Sequence, residues 1–166
     1  MKTTTRLMLT ACLALPLLAA CNKEEAAPTA VVAAPLTAPT TADDSAWRAY
    51  VSDVVTRNMD GITNQPFVYY LPAATGEEIA DTGNYERLLD KAKTDVARGI
   101  IRGNMLAYAS SDSTKMADIV TESFAEVAPD TMKGVRVVFI GDAADQARVV
   151  EAVTPAGVDF IFVEAK

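Results

Sequence analysis

From residue 43 onward the chain alternates between two hydrophobic spacings. Trp47, Tyr50, Val51, Val54 and Val55 fall three and four apart, the repeat of one helix face, with Asp44 or Ser45 placed to cap the start and Gly61 to stop it. Residues 67–71 follow Pro66, are apolar at every position and rich in aromatic and β-branched types, which predicts a strand. Thr75 with Glu78 matches a capping box and a brief helical turn. Tyr85, Leu88, Leu89, Ala92, Val96 and Ile100 then carry a longer amphipathic helix toward Gly103, its charged residues of both signs forming a solvated face. A second strand is predicted at 105–109. Met116, Ile119, Val120, Phe124 and Val127 mark the next helix, which ends before Pro129. Residues 135–140 read as a third strand. A helix containing Ala143, Ala147 and Val150 is closed by Pro155 and Gly157, and a fourth strand covers 158–163.

Strands that alternate with helices of ten or more residues need crossover connections, and strands apolar at nearly every position are buried on both faces. The fold class is therefore α/β: a three-layer, Rossmann-like sandwich around a four-stranded, mostly parallel sheet. Right-handed crossovers leave few strand orders, of which 2-1-3-4 is preferred over 1-2-3-4. Arg136 and Asp159 interrupt the last two strands, each at the second position of its run. If those strands are parallel neighbours, the two side chains lie side by side and form an ion pair near the amino ends, away from any ligand site at the opposite edge.

Before residue 43 neither spacing appears. Lys2 and Arg6 are followed by an apolar run at 7–20 that is too short to span a bilayer, and small residues lead to Cys21. Leu18-Ala19-Ala20-Cys21 resembles the lipobox of bacterial lipoproteins. The resemblance covers residues 1–21 alone and implies that Cys21 is the lipid-attachment residue, alkylated by a diacylglyceryl group, with the preceding peptide bond cut and the new amine acylated. Several acyl chains, at about 0.8 kcal/mol per buried methylene, hold a protein on a membrane stably. The alternative is a plain secretory peptide that leaves Cys21 free. Asn22 after the cysteine resembles an outer-membrane sorting signal of enteric-type lipoproteins. Residues 22–41 are rich in Ala, Pro and Thr without periodicity and read as a disordered tether, reaching roughly 60 Å at about 3.1 Å per residue. The division is a signal peptide at 1–20, the lipidated cysteine and tether at 21–42, and an α/β domain at 43–166.

Composition narrows the chemistry. The two cysteines are Cys12, which leaves with the signal, and Cys21, so thiol nucleophiles, redox pairs and thiolate metal sites are excluded from the mature chain. There is no histidine, which removes the commonest general base and histidine-ligated metals. Loss of Lys2 and Arg6 leaves 13 of the 15 basic residues against 22 acidic ones, a net charge of −9 that argues against nucleic-acid partners. An anionic membrane repels such a domain, so attachment falls to the lipid.

Ligands in open parallel sheets gather beyond the carboxyl ends of strands, where helix N-termini bring unpaired amides. The candidate binding residues there are Thr75, Ser110, Ser111, Ser113 and Asp142. The serine cluster equally fits a helix cap. Residues 141–145 resemble the turn after a Rossmann-like strand but lack its three glycines, and neither a Gly-x-Ser-x-Gly elbow nor a phosphate-loop lysine motif is present. Asp112 and Asp142 favour a neutral polar ligand or a partner's cationic side chain over an anion. Asp118, Glu122 and Glu126 recur every four residues, a wet acidic face or a site for a partner's arginine or a divalent cation. These features point to a membrane-anchored, non-catalytic binding domain for a protein or envelope component, with no cofactor and no catalytic residue assigned. A hydrolase using Ser and Asp, or a carboxylate-bound metal, at the strand ends is the alternative.

Overall fold

Four parallel strands, β1 (Phe67–Leu71), β2 (Met105–Ser110), β3 (Arg136–Gly141) and β4 (Asp159–Glu164), form one sheet in the order β1-β2-β3-β4. They alternate with helices α1 (Asp44–Arg57), α2 (Asn84–Ala97), α3 (Ser113–Phe124) and α4 (Ala143–Val153). The computed structural model describes residues 33–73 and 83–166, and Ala34–Lys166 forms one compact unit. The α/β class and the parallel sheet agree with the hydrophobic spacing. Among the described residues no helix is long and apolar enough to cross a membrane.

The strand order differs from the preferred 2-1-3-4. Because each new strand is added on the same side of the last, crossovers of one hand place α2, α3 and α4 on the same face. Tyr69, Leu71, Leu106, Tyr108, Val137 and Phe139 bury that face against Ala92, Val96, Met116, Ile119, Val149 and Val153. Among the described residues, the other face carries Met105, Ala107, Ala109, Val138 and Ile140 under one helix, α1, through Trp47, Tyr50, Val51, Val54 and Val55. Small Ala107 and Ala109 lie where the bulky α1 side chains need room, which suits β2 to the sheet centre. β1, uniformly apolar as it is, takes an edge: Tyr69 and Leu71 are buried under α2, whereas Val68 on the α1 face is 44% exposed.

The chain ahead of α1 is part of the unit as well. Leu36 N–H donates to Asp53 Oδ2 (3.0 Å), Ala38 is buried in the α1-side core, and Trp47 Nε1 donates to Thr41 O (2.9 Å). Since residue 36 lies beside residue 53 and residue 41 beside residue 47, this arm runs antiparallel to α1. The last part of the stretch read as tether is thus packed structure.

The ion pair foreseen from the two strand interruptions is present: Arg136 and Asp159 are register partners, with Arg136 Nε 2.9 Å from Asp159 Oδ2. Arg136 Nη1 also donates to Asn58 O (2.8 Å) and Asp60 O (2.7 Å), so the same guanidinium ties the α1–β1 loop to the amino edge of the sheet. Helix ends differ in detail. α2 stops at Ala97, before Gly99 with its φ of 91°, and Ile100 is buried beyond the helix rather than in it. In α4 the buried stripe is Asp145, Val149 and Val153, not Ala143, Ala147 and Val150. The residues that marked this helix in the sequence, spaced four and then three, are not its buried ones, and a carboxylate occupies the first inward position.

Candidate functional site

The carboxyl ends of β2, β3 and β4 open onto a depression of about 370 Å3. Its floor and rim include Ser110, Ser111, Gly141 and Asp142, and its far wall is Trp47 with residues 39–42 of the arm. Ser110, Ser111 and Asp142 are therefore brought together. Ser111 and Asp142 are exposed, while Ser110 is 1% exposed. Thr75 and the capping box at 75–78 lie outside the described residues, as does Cys21.

Two of the serines are already engaged within the fold. Ser110 Oγ donates to Leu71 O (2.9 Å) and accepts from Asp112 N–H (2.9 Å), joining the end of β1 to the start of α3. Ser113, 4% exposed, donates from Oγ to Asp145 Oδ2 (2.6 Å) and accepts from Asp142 N–H (2.8 Å). Asp112 caps α3 by accepting from Lys115 N–H at 3.1 Å. The amides of Asp112, Lys115 and Asp142, expected to be open to a ligand, are thus bonded to side chains of the protein. At α4 the N-cap Asp142 makes no side-chain cap bond, so its carboxylate stays in solvent at the rim.

Behind this edge, Asp145 organises a polar group joining α3 to α4. Its carboxylate accepts from Ser113, from Thr114 Oγ1 (3.4 Å) and from Arg148 Nε (3.0 Å). Arg148 also donates from Nη2 to Thr114 O (2.7 Å) and pairs with Asp118. Burial pushes the Asp145 carboxyl up, but the Ser113 hydroxyl and the Arg148 guanidinium outweigh it and hold the group below the usual carboxylate range. A carboxylate so stabilised is a weak base, and it is a poor acceptor for the Ser113 proton in a nucleophilic attack. Gly141 is required by this arrangement. A Cβ there would lie 2.6 Å from Ser113 Oγ and 2.9 Å from Phe139 Cζ.

The acidic row is divided. Asp118 faces α4 through Arg148, whereas Glu122 and Glu126 line a cleft of about 570 Å3 between α2 and α3, with Lys93 on its α2 side. α3 ends at Phe124, so Glu126 is not on the helix with the other two. Among the described residues, no group of three or more carboxylates is arranged to hold a metal ion.

Sequence reasoning missed the arm as a wall of the site and Asp145 as its support. Trp47 belongs to the apolar stripe of α1 and packs in the core, but its indole N–H also reaches the arm at the depression. No family model, curated protein or solved structure matches this chain.

Proposed function

We propose that the protein is a lipid-anchored lipoprotein of the cell envelope, held by Cys21 on the outer membrane and facing the periplasm. In this reading its α/β domain binds a protein or envelope component without catalysis. The membrane part rests on Leu18-Ala19-Ala20-Cys21 and Asn22. The observation that carries the binding part is the depression at the strand carboxyl ends, where Ser111 and Asp142 stand exposed while the buried hydroxyls beside them are bonded to the fold. A rim carboxylate next to a serine hydroxyl suits a neutral polar group or a partner's lysine or arginine, and Asp112 nearby disfavours anions. The hydrolase alternative loses support, because Ser113 is buried and its acidic neighbour is tuned away from basicity.

Two experiments test the proposal separately. Cys21→Ser should abolish labelling by a fatty-acid analogue and release the chain from membranes; continued labelling and membrane partitioning would refute the anchor. For the binding site, Ser111→Ala with Asp142→Ala should leave the circular dichroism spectrum unchanged and reduce capture of whatever envelope component co-purifies with the lipidated parent. Full capture by the folded double variant, with loss on replacing Glu122 and Glu126 instead, moves the site to the α2–α3 cleft.

A further inference from the structure

The two outer strands of the sheet are finished differently. β4 starts on Asp159 and ends on Glu164, and charges at an edge oppose the docking of another strand. β1 has no charged residue from Phe67 to Leu71 and, among the described residues, pairs with β2 alone, which makes it an edge of the sheet. On the α1 face, Val68 and Tyr70 line an apolar groove of about 510 Å3 with Val51, Val55 and Met59 of α1 and the residues after it. The arm lies along the other flank of α1, by Asp53 and Trp47, and leaves this flank open.

We propose that a second copy of this chain docks here, β1 against β1 in antiparallel sense about a two-fold axis at Tyr69, to give one continuous eight-stranded sheet. Five residues centred on Tyr69 are self-complementary in this register. Phe67 meets Leu71 of the other copy on the α2 face, and Val68 meets Tyr70 of the other copy on the α1 face. Each half-exposed Val68 is then covered by an aromatic ring, a favoured cross-strand combination, and two open grooves become one. Charge selects the same place. A chain of net charge −7 repels its own copies over most of its surface. In the groove the charged lining residue is Arg48, which is ion-paired with Asp44 (2.7 Å) and lies 5.0 Å from the Tyr70 ring centre. A five-residue strand with its groove is small beside the roughly 800 Å2 per partner of a standard interface, so the dimer is weak and concentration-dependent.

The test uses the full chain with Cys12→Ser and Cys21→Ser, which keeps native thiols out of the experiment. Sedimentation over a concentration series should show reversible dimerisation. Val68→Lys, which sets two like charges beside the axis, should weaken association at least about tenfold with an unchanged circular dichroism spectrum. In a second measurement, chains carrying Val68→Cys are mixed with chains carrying Tyr70→Cys under mild oxidation. A 68-to-70 disulfide should form in the mixture far more than in either sample alone, and this readout decides the matter even if the lysine variant fails to fold. A monomer at every concentration, a folded lysine variant that dimerises like its parent, or cross-linking no greater in the mixture would overturn the proposal. A strictly monomeric chain that binds an extended apolar peptide at β1 would overturn it too, by giving the edge to a foreign strand.

Discussion

The two faces of the sheet are covered by different means. On one, α2, α3 and α4 lie side by side over Tyr69, Leu106, Tyr108, Val137 and Phe139, and Asp145 with Arg148 joins α3 to α4 above the strand ends. On the other, α1 lies alone, flanked by a short arm on one side and an open groove on the other. The difference follows from strand order. A sheet built in one direction sends every crossover to one face and leaves the second to whatever precedes β1. It also removes the crevice that reversing crossovers create, which is where doubly wound sheets hold their ligands. Here the depression at the strand ends has to borrow a wall from the arm.

Adjacent residues of β3 allow the faces to be compared within one strand. Phe139, fully buried under the three helices, should lose about 3–5 kcal/mol of stability on truncation to alanine. Ile140, equally buried but under α1, should lose less, near the lower end of the roughly 2–5 kcal/mol range, because a lone helix can settle into the cavity. Denaturant unfolding measures both, and equal losses would show that the α1 face is as rigidly packed as the other.

The α3–α4 polar group ranks next. Asp145→Ala strands the Ser113 hydroxyl and removes one of the two carboxylates on Arg148, and should lower stability by about 1–3 kcal/mol. The sign with pH follows from the depressed Asp145 value: its stabilisation is complete above the ordinary carboxylate value of 3.8 and is lost as pH falls through the lower folded value. The gap between parent and variant in unfolding experiments should therefore be constant at neutral pH and close in strong acid. If it widens on acidification, the assignment of Asp145 as a stabilised anion fails.

How far the sequence reached can be judged from these same residues. Element positions and the Arg136–Asp159 pair were legible, because period and interruption are local signals and neighbouring strands joined by a short crossover align their interruptions. Strand order was not, since uniform apolarity in residues 67–71 looks the same at a centre and at an edge whose one face is covered. The buried stripe of α4 was not legible, because Asp145 is made tolerable in it by Ser113 and Thr114, more than thirty residues away, along with Arg148. Of the candidate residues, Ser110, Ser111 and Asp142 do share an edge, yet the bond from Ser110 to Leu71 spans 39 residues and cannot be seen in local pattern. The arm gave no signal, as a segment of Ala, Pro and Thr that packs by isolated contacts has no period.

Smaller effects bear on the α1 face. Asp53→Ala removes the acceptor of the Leu36 amide and one partner of Arg57, both near the surface, and should leave global stability nearly unchanged. Its effect should instead be local, with faster hydrogen exchange at Leu36 and none at the α2–α4 amides. In alkali the Tyr70 phenol, pushed up to about 12 by burial and by the Asp44 carboxylate, resists ionisation. Its contribution is whole below the free-tyrosine value of about 10 and disappears as pH rises through 12, which tyrosinate absorbance can follow.

The antiparallel course of the arm also decides how the molecule responds to a pull. Force applied ahead of the arm bears on the Leu36–Asp53 bond before the Thr41–Trp47 bond, so these two attachments are peeled in turn. Releasing 34–41 would add about 26 Å of slack at some 3.3 Å per residue and take away one wall of the depression. Tension ahead of the arm would thus open the depression at the strand ends before it threatened the fold. Single-molecule pulling from the N-terminus should show that short extension at low force ahead of the main unfolding event.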